Sequence, residues 1–386
     1  MNWVIADQKT FATGSRDLRI DFFRGLALYM IFVDHVTGDP LSMLTYRILG
    51  FSDAAEIFVF LSGIACGTAY SRTFARGGLS DLVRVTARRA GRIYFYYVLS
   101  TAATVLAMTA AITQNSSSLA GYLGIELVEQ PFNAMWSALS LISLPPASQL
   151  FVLYIILTLV VIPPFLIAGE RYRLLALATS GVIWVGAQIF SDFFAPLSHH
   201  LSLNPFAWQF LFVIGLFVAT NRGLEQTILP SRSQRRWAVV AACTIVVGAF
   251  VYRLLAARSG FNVTWLQFEP GTWASMKENL SPIRLVHFLS VALLIAVYVR
   301  RDSAFLKWPI SMPLIKTGMH SLQVFSLVVV LGNIVNLIVL TGDPPLRDRL
   351  VMDGIAFLLM ALTGIALTPV REQLVRLRRT FIGQRH

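Results

Sequence analysis

Asp21-Phe22-Phe23-Arg24-Gly25-Leu26-Ala27-Leu28-Tyr29-Met30-Ile31-Phe32-Val33-Asp34-His35 lies in an apolar run, residues 22–38, of the length a helix needs to cross a bilayer. Ionisable side chains at membrane depth are costly and mark a functional site by default. Arg24 and His35 are separated by eleven positions. That is three helical turns plus about 20°, so the two side chains share one face roughly 16 Å apart. Asp21 falls on the same stripe. A guanidinium near one membrane surface and an imidazole deep on the same side predict a tunnel that takes an anionic ligand at one end and handles protons at the other. The plain alternative is a snorkelling Arg and a packed His.

The same pattern extends along the chain. Of 386 residues, 56% are hydrophobic and only 13% charged, about half the charged fraction of a soluble domain. Apolar runs at 22–38, 51–70, 92–113, 149–169, 173–190, 204–221, 236–256, 283–299, 319–341 and 349–370 predict an all-α polytopic membrane protein of about ten helices. Pro163-Pro164 is expected to kink or end the fourth helix. The amphipathic stretch 119–146, interrupted by Pro131, is read as a re-entrant or interfacial helix. No extramembrane stretch is long enough for its own core, so residues 1–386 read as one domain, with a 16–370 core and cytoplasmic tails at 1–15 and 371–386. The first run, lacking a small-residue cleavage pattern, reads as a retained anchor.

A net charge of +12 invites a nucleic-acid reading, but its distribution argues against one. With the N-terminus in the cytoplasm, 24 of the 32 Lys and Arg fall in inner segments and six in outer ones. That asymmetry is the positive-inside rule with both termini inside. The charge orients the chain and touches anionic lipid. Cys66 and Cys243 sit in different helices and read as small core residues, with no disulfide framework. Asp192 and His199-His200 do not have metal-site spacing, so no metal is expected.

Helix two opens Phe51-Ser52-Asp53-Ala54-Ala55-Glu56 and returns from the outer face, which puts Glu56 at about the depth of His35. A carboxylate beside an imidazole fixes its tautomer and raises its basicity, as a general base requires. Asp34, Asp53 and Glu56 compete for that role; Glu56 is preferred as the deepest. Ser62-Gly63 and Gly67 permit close helix approach. Arg84, Arg88 and Arg92, spaced four apart, line one face. They read either as a phosphate grip or as an ordinary lipid-facing flank. Arg284 and His287 share a face of helix eight. Asn204-Pro205-Phe206-Ala207-Trp208-Gln209 opens helix six near the outer surface. Trp208 with Asn204 and Gln209 reads as a sugar-binding surface or as an interfacial aromatic belt.

Arg19-Ile20-Asp21, Arg24-Gly25-Leu26-Ala27-Leu28 with His35, Ala55-Glu56-Ile57-Phe58-Val59-Phe60-Leu61-Ser62-Gly63, the Asn204–Gln209 stretch, Arg284-Leu285-Val286-His287-Phe288-Leu289 and Ser321-Leu322-Gln323-Val324-Phe325 together resemble the OpgC family. These are inner-membrane succinyltransferases of osmoregulated periplasmic glucans. The Arg-x10-His spacing is also similar to the wider acyltransferase family 3. The resemblance implies His35 as the essential histidine and Arg24 as its paired arginine. It also implies succinyl-CoA as co-substrate and a periplasmic glucan as acceptor. On that reading His35 is a base oriented by Glu56 or Asp34. Arg24, Arg84, Arg88 and Arg92 hold the acyl-CoA, and Arg284 selects the succinyl carboxylate. Acetyl-CoA with another envelope polysaccharide, a transporter or flippase for an anionic or saccharide substrate, and a non-catalytic scaffold are the competing readings; a homodimer is a possible assembly.

Overall fold

The computed structural model describes residues 16–112, 131–141, 147–190, 203–221, 231–259 and 275–383, and every regular element among them is helical. The principal elements are α1 (Leu18–His35), α2 (Ala54–Ile112), α3 (Pro131–Leu139), α4 (Gln149–Ile167), α5 (Gly169–Ile189), α6 (Pro205–Thr220), α7 (Arg232–Ser259), α8 (Ser275–Glu278), α9 (Pro282–Tyr298), α10 (Ser311–Met319), α11 (Ser321–Gly342) and α12 (Leu346–Gly383). Helix occupies each of the ten expected apolar runs. Six helices are long and apolar enough to cross a membrane: α2, α4, α5, α7, α11 and α12. α2 contains two of the expected runs, α6 and α9 are shorter apolar helices, and α1 carries Arg19, Asp21, Arg24 and Asp34 in its 18 residues.

Local chemistry sets the breaks. Asp17 caps α1 by accepting from the Arg19 N–H. α2 is broken at Gly78, whose φ of 64° is open to a residue without a Cβ. The Arg-rich segment beyond it is helical, as the i, i+4 row of Arg84, Arg88 and Arg92 requires. The proline pair leaves α4 helical to Ile167, but the ladder widens into a π turn over Leu157–Val161 just ahead of Pro163, where two N–H donors are missing. Pro131 opens α3, which takes the first-turn position where proline is tolerated; the rest of 119–146 includes residues outside those described.

α1 is the axis of the bundle, packed against α2, α10 and α11. It meets α10 backbone to backbone. A Cβ added at Gly25 would collide with the Leu314 carbonyl, and one at Gly318 with the Asp21 carbonyl. α2 crosses α6 the same way, with Gly63 against the Phe212 carbonyl and Gly67 against Ala219. α11 is largely buried, whereas α5, α7 and α12 leave most of their apolar side chains exposed, as lipid-facing helices do. Cys66 is buried in this core, but Cys243 is exposed on α7, so the expectation of a core thiol holds only for the first.

Candidate functional site

The α1 stripe reaches two separate cavities. At the end of α1 that holds Arg24, a space of about 3080 Å³ is walled by α1, α2, α4, α9 and the start of α11. This is well beyond an ordinary ligand pocket of roughly 300–1,000 Å³. Its lining includes Arg16, Arg24, Arg72, Arg89, Arg92 and Arg235. Asp21 is paired with Arg16. Arg24 is buried; it donates to the Ser321 hydroxyl and lies 5.7 Å over the Phe58 ring, while its Nε has no hydrogen-bond partner among the described residues. A buried donor left unsatisfied is expensive, so Arg24 is held at a cost to the fold. Of the three expected arginines only Arg92 lines it. Arg84 is exposed and faces Asp81 at 4.0 Å, and Arg88 is exposed, while Arg89 lines the wall instead.

The second cavity, about 40 Å³, is lined by Ile31, His35, Ala147, Phe325, Val328, Gly332, Asn333 and Asn336. His35 is exposed and is one of the residues on its wall. Nδ1 lies 2.7 Å from the Ile31 carbonyl, one turn back. A carbonyl only accepts, so this contact puts the proton on Nδ1 and leaves the Nε2 lone pair available, the arrangement a general base needs. Phe325 of this lining packs against Phe151 and Phe58, with centroids 4.8 and 5.9 Å apart, and Phe58 in turn lies under Arg24.

Neither expected carboxylate hydrogen-bonds the His35 ring. Asp34 accepts from the Thr45 hydroxyl at 2.8 Å and faces Arg47. Glu56 is fully buried and held by Arg284, whose nitrogens lie 2.6 and 2.7 Å from one carboxylate oxygen. Its other oxygen accepts the Asp53 N–H at 2.9 Å, while Asp53 accepts from the Ala55 N–H at 2.9 Å. This is a reciprocal capping box at the start of α2, with Asp as cap and Glu three residues on. Asp53 also pairs with Arg284 at 3.1 Å and Lys277 at 2.7 Å. Burial alone would raise the Asp53 carboxyl, but Lys277 and Arg284 outweigh it and hold the group well below the usual carboxylate range. Arg284 is therefore already neutralised, and it does not line the large cavity. His287 sits nearby in a buried chain, with Nδ1 2.6 Å from the Ser52 hydroxyl, which in turn lies 2.8 Å from Tyr46.

The expected sugar surface is not on the outside. Trp208 is completely buried, and its indole N–H points to the carbonyls of Lys277 and Glu278 at 2.9 and 3.0 Å. Asn204 caps α6 through the Phe206 N–H and donates to Asn279. Gln209 accepts from the Ser180 hydroxyl at 2.5 Å and donates to the Ser180 carbonyl at 2.8 Å. These groups close one end of the bundle, where a polar atom needs a partner once buried; no ring face is left for a pyranose. Among the described residues no group of three or more His, Cys, Asp or Glu forms a metal site, and Asp192 and His199-His200 lie outside them.

Asn333 and Asn336 were not anticipated. Both are buried on α11 and line the His35 cavity. Two amides three positions apart in an otherwise apolar run are a signal of the kind that singled out Arg24 and His35.

The chain matches the family model described as OpgC protein over residues 16–372, nearly its whole length, and belongs to that family. No curated protein and no solved structure matches it. Membership implies a membrane-associated, glucan-modifying acyltransferase.

Proposed function

We propose that this OpgC-family protein is an acyl-CoA-dependent O-acyltransferase. It moves a succinyl group from cytoplasmic succinyl-CoA to hydroxyls of a periplasmic glucan, with His35 as general base. The reading places ten spans in the bacterial inner membrane with both termini cytoplasmic, as the charge asymmetry supports. The observation that carries the chemistry is the His35 ring, with Nδ1 on the Ile31 carbonyl and the residue on the wall of a small cavity, which leaves Nε2 free of that bond.

The anionic phosphates of the donor suit the arginine-lined cavity, with Arg72, Arg89 and Arg92 as the binding groups and the Arg24 guanidinium charge on the same wall. Arg24 and His35 are eleven residues apart on α1. The pantetheine arm would extend along that helix, past the Phe58, Phe151 and Phe325 rings, to bring the thioester to His35. His35 Nε2 takes the proton of the glucan hydroxyl as its oxygen attacks the thioester carbonyl. The tetrahedral intermediate then expels the coenzyme A thiolate, which recovers the proton from the imidazolium, giving ester and free thiol. The Ile31 carbonyl takes the orienting role expected of Glu56 or Asp34, and being neutral it lends the imidazolium less than a carboxylate would. Fixing both reactants around one ring supplies much of the rate.

Mass spectrometry of periplasmic glucans from cells lacking the protein, complemented with wild type or His35→Ala, tests the reading. A succinyl increment restored by wild type and absent with a membrane-inserted His35→Ala protein is expected. Restoration by both removes His35 from the chemistry. An acetyl increment in its place reassigns the donor, and no increment with either reassigns the reaction.

A further inference from the structure

Resting on His35 as the base, we infer that Asn336 is the residue that positions it, through a two-point amide clamp on the end of α1. The clamp joins elements 301 residues apart in the chain. The Asn336 Nδ2 donates to the His35 carbonyl at 2.8 Å, and its Oδ1 accepts the Thr37 N–H at 2.7 Å. The side chain is 3% exposed and lies on the wall of the cavity that His35 also lines.

The need for such a clamp follows from where His35 sits. It is the last residue of α1, and the final carbonyls of a helix have no partner within it. The chain leaves at once: Val36 is extended and Gly38 has φ of 65°. An unsupported last turn frays, and the His35 ring depends on that turn, because Nδ1 is anchored to Ile31 one turn back. The amide satisfies one orphaned acceptor and one orphaned donor on either side of the helix end. No other side chain of that size offers a donor and an acceptor in a single plane. A hydrocarbon offers neither, and a carboxylate offers only acceptors, turning the contact with the His35 carbonyl repulsive. Asn336 touches backbone alone in these contacts, so its action on the reaction is indirect, through the direction of Nε2.

The test is steady-state kinetics of the purified full-length protein with succinyl-CoA and glucan isolated from cells lacking the protein. Asn336→Leu, close in volume, is expected to lower kcat about tenfold or more while the KM for succinyl-CoA stays within about twofold. Asn336→Asp, which keeps the acceptor for Thr37 and loses the donor, is expected to lower kcat as well, and it carries the test if the leucine variant does not fold. In the His35→Ala background Asn336→Leu should cause no further loss, because its effect runs through the ring. A folded Asn336→Leu or Asn336→Asp with wild-type kcat overturns the inference. So does a loss that repeats at full size without His35, or one that falls on KM instead. Wild-type activity in His35→Ala alone would instead overturn the proposed mechanism, so the two failures are told apart.

Discussion

Arg284 holds Glu56 at 2.6 Å in a contact where the Glu56 side chain is wholly shielded and that of Arg284 is 7% exposed. Joining residues 228 positions apart, it ties α9 to the start of α2. Removing one member of a buried pair strands the other charge, which costs about 3–5 kcal/mol. Arg284→Met is therefore expected to lose about that much in equilibrium unfolding in mixed micelles. Arg284→Met with Glu56→Gln should recover most of it, with Asp53 still held by Lys277. Equal stability of the single and double variants would show that the pair contributes nothing through its charge.

The backbone contact between α1 and α10 leaves no room for a methyl group. Gly25→Ala or Gly318→Ala is expected to destabilise by at least about 1–3 kcal/mol, because the atoms met are backbone carbonyls that cannot swing aside. Gly91→Ala is the control. Nothing lies within 4 Å of its added Cβ, and the change should be neutral or stabilising by up to about 1 kcal/mol. The yield of folded protein and its unfolding midpoint read both.

Two carboxylates in the segment between α1 and α2 respond to pH with opposite signs. Asp53 is held low by its cations, against burial, so its contribution is complete above the ordinary value of about 3.9 and is lost as pH falls through its lower folded value. The deficit of Asp53→Asn should be full at pH 7 and shrink only in strong acid. Asp39 is raised by burial, which outweighs its hydrogen bond from the Leu41 N–H and the charge of Arg349. Its contribution is present below about pH 3.9 and is lost as pH rises through the higher folded value. Asp39→Asn should accordingly raise the unfolding midpoint more at pH 8 than at pH 4. Thermal unfolding of Asp39→Asn between pH 4 and pH 8, and of Asp53→Asn from pH 7 down into strong acid, checks each sign.

The arginines that line the large cavity are separable from those that do not. Arg89→Gln and Arg92→Gln are each expected to raise the KM for succinyl-CoA roughly tenfold, the order of one charge-assisted hydrogen bond. Arg84→Gln and Arg88→Gln, on exposed positions, should stay within about twofold. Equal effects at all four would return the role to the i, i+4 stripe as a whole.

The bundle was legible from the sequence because membrane-length apolar runs admit little besides helix. The face shared by Arg24 and His35 follows from helix geometry alone, and the chain's place in the OpgC family rests on motifs readable before any coordinates. What the sequence withheld was pairing between distant elements. Glu56 was placed beside His35 by depth, but depth carries no azimuth, and Arg284 claims it from another helix. The Asp53-x-x-Glu56 spacing was itself a readable capping box. The arginine row was read as one continuous face; which of its members meet the cavity depends on how the helix beyond Gly78 is rotated, a rotation set by packing. Trp208, Asn204 and Gln209 were placed correctly at a helix start, but their partners come from α8, the turn after it and α5, which no local pattern discloses.

The contact of Gly25 with Gly318 bears also on how the machine moves. A helix seated backbone to backbone has no slack in which to slide or roll, and α1 is so seated near one end and held by Asn336 at the other. Arg24 and His35, the pair on which the proposed mechanism rests, are thus mounted on a fixed rail. On the proposed mechanism, passage between the arginine-lined chamber and His35 would come from rings turning beside the rail. Phe325, which lines the His35 cavity and contacts both Phe58 and Phe151, is the ring placed to take part in such a movement.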